Sequence, residues 1–148
     1  LRMVAVHTSN GALMLDDTYN ASPESTLAAL NLLNELDGRK VAVLGDMYEL
    51  GRYERQGHEK VGVRAAEVCA ELVAVGELAQ MIADAARKAG MRAENIHWVA
   101  TVAEAVEFLG DRLQKGDTVL VKGSHGLHME QIVGALSENA ASGPEVAQ

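Results

Sequence analysis

The chain has 148 residues, enough for one domain with a single substantial core, and 48% of them are apolar. No apolar run is long enough to cross a membrane, and the net charge of −8 argues against a phosphate-backbone binder and suits a soluble cytoplasmic protein. The only cysteine, Cys69, excludes an intrachain disulfide and reads as a small core residue in a helical stretch.

The chain opens Leu1-Arg2-Met3-Val4-Ala5-Val6, directly into a strand-like run without a signal segment, which reads as a domain of a longer polypeptide. The apolar runs Val4–His7 and Leu13–Asp16 flank Asn10-Gly11, a dipeptide that favours a tight hairpin. Ser22-Pro23 then predicts a helix start, with Ser22 as N-cap and Pro23 in the first turn. Leu27, Leu30, Leu33 and Leu36 line one face of that helix, and Gly38 ends it. Val41-Ala42-Val43-Leu44 is wholly apolar, as a strand buried on both faces requires.

A helix is expected from Glu54 to Ala70, with Gly57 and Gly62 weakening its first turns. Leu72–Val75 is the next strand, and the helix after it carries Leu78, Met81, Ile82, Ala85 and Ala89. Ile96–Val99 is a further strand. Thr101 and Glu104 have capping-box spacing before a helix bearing Val102, Val106, Leu109 and Leu113. Thr118–Val121 is the last strand, and Met129, Ile132, Val133 and Leu136 define the last helix. From Ser137 onward no apolar face recurs, so the domain is expected over 1–137 with a disordered tail over 138–148. Strand and helix alternate throughout. The expected fold is α/β: a three-layer Rossmann-like domain with a mostly parallel sheet and one antiparallel strand from the N-terminal hairpin.

Polar and small residues gather where three of these strands end. They are Asp16-Asp17-Thr18-Tyr19-Asn20-Ala21-Ser22-Pro23, Leu44-Gly45-Asp46-Met47-Tyr48-Glu49-Leu50-Gly51 and Val121-Lys122-Gly123-Ser124. Ligands of parallel α/β sheets bind outside the carboxyl ends of the strands, so the three segments predict one composite site. Neither a phosphate loop nor a dinucleotide fingerprint is present, and the histidines at 7, 58, 97, 125 and 128 lack zinc-site spacing. His125 and His128 read as surface residues, and no metal site is expected.

Together, in this order and on these alternating elements, the three segments resemble the C-terminal domain of the Mur ligases, with Met129-Glu130 extending the likeness to about Leu136. The nearest likeness is to the branch that adds D-alanyl-D-alanine to a UDP-MurNAc-tripeptide. The resemblance implies an ATP-dependent amide ligase of which this domain is one part. A central domain outside this chain would carry the phosphate loop and the Mg²⁺ ligands. This domain would close over ATP and supply part of the amine-substrate pocket, without catalytic residues of its own, and alone would be inactive. Where that family often has arginines after Lys-Gly-Ser, this chain has His125 and His128.

The resemblance puts Asp17, Tyr19 and Asn20 on the nucleotide side, and Lys122, Gly123, Ser124, Asp46 and Glu49 on the amine-substrate side. Asp17 and Asn20 equally fit Asx caps of the following helix, and Asp46 with Glu49 fits a polar loop as well as a receiver for an ammonium. Lys122 is expected to face a substrate carboxylate, and Ser124 to open a helix whose amides attract the same group. Tyr19, Trp98 and Phe108 read as core or rim residues. Two rivals remain at this point: a receiver-like phospho-acceptor domain built on Asp16-Asp17, Asp46 and Lys122, and a stand-alone nucleotide- or peptide-binding module.

Overall fold

A computed structural model of the chain describes residues 3–138. Six strands form one sheet: β1 (Val4–His7), β2 (Leu13–Asp17), β3 (Arg39–Gly45), β4 (Glu71–Val75), β5 (Ile96–Val99) and β6 (Asp117–Lys122). Their order across the sheet is β1-β2-β6-β3-β4-β5. Only β1 and β2 pair antiparallel, joined through Asn10 and Gly11, whose φ of 91° is the left-handed geometry the turn needs. All other neighbours are parallel, as the alternating sequence predicts.

The helices are α1 (Pro23–Glu35), α2 (Glu54–Val68), α3 (Gln80–Lys88), α4 (Val102–Leu109) and α5 (Glu130–Leu136). They cover both faces of the sheet. Alternate residues of β3 show how: Ala42 and Leu44 belong to a core with Leu30 and Leu33 of α1, Val61 of α2 and Ile82 of α3. Val41 and Val43 face the other way, into a core with Leu109 of α4 and Ile132 of α5. β4 and β6 are buried along their whole length, which is why their central residues, Leu72–Val75 and Val119–Val121, are all apolar.

Local signals set most element ends. Ser22 Oγ accepts the Ser25 N–H at 3.0 Å at the start of α1, and Thr101 and Glu104 cap α4 reciprocally. The glycines of α2 are sites of close helix approach. A Cβ on Gly57 would come 2.7 Å from Pro23 Cγ, and one on Gly62 would run into the Ile82 carbonyl oxygen. α2 ends at Val68, two residues short of the expected end, because Cys69 is extended and Ala70 N–H already bonds the Lys40 carbonyl ahead of β4. Leu113 is buried but lies beyond α4, in the turn before β6.

The chain does not open an α-helix at Ser124. A single 3₁₀ turn, His125–Leu127, follows, closed by His128 at φ 62°, and α5 begins only at Glu130. At the other end, Ser137 forms an antiparallel bridge with Thr8, and Glu138 N–H donates to the His7 carbonyl at 2.9 Å. These two residues therefore extend the edge beside β1 and do not fray there. The remainder of the expected tail, 139–148, lies outside the described residues.

Candidate functional site

β2, β6 and β3 are neighbours, and they end together. Asp17 stands beside Lys122 in the register, and Lys122 beside Leu44. All three polar segments thus meet at one edge of the sheet, as the sequence predicts. Glycines let the strand ends close up: a Cβ on Gly45 would lie 2.5 Å from Leu127 Cδ2, and one on Gly123 3.2 Å from Gly45 Cα.

Lys122 is only 3% exposed. Its Nζ lies 2.9 Å from Asp17 Oδ2 and donates to the Asn20 carbonyl, also at 2.9 Å. The ammonium expected to face a substrate carboxylate is therefore turned inward, toward the loop after β2. Burial is the reason, since a desolvated ammonium needs a partner within the fold. Asp17 does not act as an Asx cap. That role falls to Asp16, whose Oδ1 accepts from Thr18 N–H and Oγ1–H, while Asn20 Oδ1 accepts the Ala21 N–H.

Tyr19 is 55% exposed, with its ring 5.9 Å from that of His125. A cavity of about 370 Å³ opens beside this loop, lined by Asp17, Tyr19, Asn20 and Lys122 on its polar side and by Ala29 and Leu32 on its apolar side.

The loop after β3 is pinned from several directions. Asp46 is 4% exposed; its Oδ1 accepts the Ala79 N–H at 2.9 Å and its Oδ2 the Tyr48 hydroxyl at 3.2 Å. Burial raises the Asp46 carboxyl above the ordinary aspartate value, and the bonds from Ala79 and Tyr48 offset part of that rise. Gly76 approaches so closely that a Cβ there would lie 2.5 Å from both Asp46 oxygens. The Asp46 carbonyl accepts the Ser124 N–H at 2.9 Å, and Ser124 Oγ accepts the Tyr48 N–H at 2.8 Å. The Ser124 amide, expected to meet an anion, is thus committed to the neighbouring loop. Glu49 is exposed with φ 64°, a left-handed position that costs a non-glycine residue about 1 kcal/mol.

Sequence reasoning missed His58. It is fully buried on α2; its Nε2 accepts the Met47 N–H at 3.0 Å and its Nδ1 lies 2.6 Å from the Glu54 carbonyl. The signal was present: positions 58, 61, 65 and 68 share one helix face, and the other three are apolar.

His125 and His128 are exposed, and among the described residues no group of three or more His, Cys, Asp or Glu side chains could hold a metal ion. Trp98 lies at the rim, its Nε1–H donating to the Gly76 carbonyl at 2.7 Å, and Phe108 packs against His97 and Arg112. No helix among the described residues is long and apolar enough to cross a membrane.

A family profile described as "Mur ligase, glutamate ligase domain" matches residues 1–125. The chain belongs to the Mur ligase family.

Its similarity to individual Mur ligases runs along nearly the whole chain. It is 33% identical over 145 residues to UDP-N-acetylmuramoyl-tripeptide–D-alanyl-D-alanine ligase of Bacillus subtilis (strain 168), covering 96% of this chain and 32% of that protein. The protein of the same name in Escherichia coli (strain K12) is 34% identical, covering 93% of this chain and 30% of that protein. Among solved structures, MurF from Acinetobacter baumannii superposes with a TM-score of 0.79 at 35% identity, over 91% of this chain and 30% of that one. The MurF ligase from Thermotoga maritima in complex with ADP gives 0.74 at 28% identity, over 93% of this chain and 30% of that one. The chain thus spans about a third of the length of these Mur ligases. Family membership sets aside the receiver-like reading.

Proposed function

We propose that this chain is the C-terminal domain of an ATP-dependent carbon–nitrogen ligase that joins D-alanyl-D-alanine to a UDP-MurNAc-tripeptide, a cytoplasmic step of peptidoglycan precursor synthesis. The observation that carries the reading is the meeting of the segments 17–20, 46–49 and 122–124 at the carboxyl ends of three adjacent parallel strands. The domain would belong to a longer polypeptide whose other domains hold the phosphate loop and the Mg²⁺ ligands. ATP would supply the activation of the tripeptide carboxylate.

This chain's own residues would shape the rest of the site. The cavity beside Asp17, Tyr19 and Asn20 joins an apolar wall to an exposed aromatic ring and polar groups, a fit for a nucleoside. Lys122 would hold that loop in place through Asp17 and the Asn20 carbonyl. Gly123, Ser124, Asp46 and Glu49 would border the dipeptide, with the two carboxylates favouring its ammonium. Closure of such a domain excludes water and fixes the attacking amine in line with the activated carboxyl.

The test is phosphate release by the full-length protein carrying this domain. Release should require ATP, the UDP-MurNAc-tripeptide and D-alanyl-D-alanine together, and the 148-residue chain alone should release none. Equal turnover with a single amino acid in place of the dipeptide, or substrate-dependent turnover by the chain alone, would overturn the reading.

A further inference from the structure

His58 is the one fully buried histidine among the described residues, and it lies on α2. Its two nitrogens have different partners. A carbonyl oxygen can only accept, so the 2.6 Å contact with the Glu54 carbonyl puts the proton on Nδ1. An amide N–H can only donate, so Nε2 presents its lone pair to Met47 N–H at 3.0 Å. The ring is therefore locked: one side is tied to its own helix, the other to the backbone of residue 47.

That bond completes a sequence of anchors. The Asp46 carbonyl is held by Ser124 N–H, the Met47 N–H by His58, and the Tyr48 N–H by Ser124 Oγ. Three consecutive residues are fixed, two from the β6 side and one from the α2 side. The next residue, Glu49, stands exposed in a left-handed conformation. Without an acceptor at Nε2 the Met47 amide is buried and unpaired, and the loop keeps only its anchors at Ser124 and Ala79.

We infer that His58 is a positioning residue for the amine-substrate pocket: through Met47 it sets where Asp46, Tyr48 and Glu49 stand relative to Ser124. The inference rests on the proposed reading of the 46–49 loop as part of that pocket, and it makes α2 the pocket's outer support.

Side-chain length gives the test. In His58→Gln the amide oxygen reaches the place of Nε2 and can accept the Met47 N–H. His58→Asn reaches only the place of Nδ1, and His58→Leu carries no acceptor. In this chain, hydrogen exchange at the Met47 amide should quicken about tenfold in the Asn and Leu variants and much less in Gln, as loss of one hydrogen bond implies. In the full-length enzyme the same two variants should raise the KM for D-alanyl-D-alanine about tenfold, with the KM for ATP within about twofold and recovery in Gln. If His58→Leu does not fold, the contrast between Gln and Asn decides. Unchanged Met47 exchange in Asn overturns the clamp. Quickened exchange with an unmoved dipeptide KM overturns the positioning role. Glu49→Ala separates the two readings: if it raises the dipeptide KM while His58→Asn does not, the pocket stands and the inference fails. If neither moves it, the pocket assignment itself fails.

Discussion

Lys122 and Asp17 are 105 residues apart in sequence and form a buried ion pair at the ends of adjacent strands, with side chains 3% and 13% exposed. Removing one partner of such a pair leaves the other charge desolvated, which costs about 3–5 kcal/mol. Lys122→Met should therefore lower the unfolding midpoint by about 10 °C in a domain of this size. Lys122→Met with Asp17→Asn should recover most of that loss, as a double-mutant cycle would read. In the full-length enzyme, Lys122→Met should raise the KM for ATP more than that for the dipeptide, because the ammonium holds Asp17 and Asn20. A rise confined to the dipeptide would return Lys122 to the amine side.

At the opposite edge of the sheet, Glu71 is 3% exposed and bound by Arg112 and His97, with Arg39 at 3.5 Å. Burial alone would raise its carboxyl, but the Arg112 and His97 hydrogen bonds outweigh it and hold the group below its ordinary value of 4.5. Asp117 is likewise held below 3.8, where burial is outweighed by its pairing with Arg39. A carboxyl lowered in the folded state stabilises above its unfolded value and loses that contribution as pH falls through the folded value. Thermal midpoints should therefore fall steeply below about pH 4.5, and Glu71→Gln should flatten that limb while lowering the plateau. An unaltered acid limb in Glu71→Gln would remove this network as its cause.

Asp46 has the opposite sign. Burial, the dominant influence, raises its folded value, so its contribution is present below the unfolded value and lost as pH rises through the folded one. Asparagine can keep the Ala79 bond through its Oδ1, and its Nδ2 can donate to the Tyr48 hydroxyl oxygen in place of accepting from it. Asp46→Asn should gain stability relative to the parent on going from acid to neutral pH, measured as the difference in midpoints. If Asp46 receives the dipeptide's ammonium, the same variant should bind the dipeptide more weakly in the full-length enzyme despite that gain.

Two helical glycines should respond in opposite directions to alanine. Alanine in a helix is favoured over glycine by about 1 kcal/mol. At Gly134 nothing lies within 4 Å of a new Cβ, so Gly134→Ala should raise stability by about 0.5–1 kcal/mol. At Gly62 the Cβ would meet the Ile82 carbonyl oxygen and lie 2.8 Å from Ala85 Cβ, so overpacking of about 1–3 kcal/mol should win and Gly62→Ala should destabilise. Denaturant midpoints at constant slope would read both.

What the sequence made legible was whatever rests on neighbours in the chain. Asn10-Gly11, Ser22-Pro23 and the Thr101–Glu104 box each carry their geometry within a few residues, and each forms as expected. The convergence of the three polar segments was also legible, because parallel strands must end on one edge. The partners of the site residues were not. Lys122 with Asp17, Asp46 with Ala79, and Ser124 with Tyr48 join distant parts of the chain, and no local pattern encodes such pairings. Ser124 does open a helix, but a 3₁₀ turn and not an α-helix. Its amide is claimed by Asp46 from the loop after another strand, and the α-helix begins only at Glu130.

The bonds that join the loops after β2, β6 and β3 have a mechanical consequence. Lys122 ties the first loop to the second, and Ser124 ties the second to the third. None of the three can shift far without its neighbour. Most of the ordering entropy of this edge is then met when the chain folds, not when a ligand arrives. A molecule reaching it encounters a preorganised, nearly inelastic surface. Adaptation to that molecule must come from the exposed side chains on the surface, Tyr19 and Glu49 among them, while the backbone beneath stays fixed.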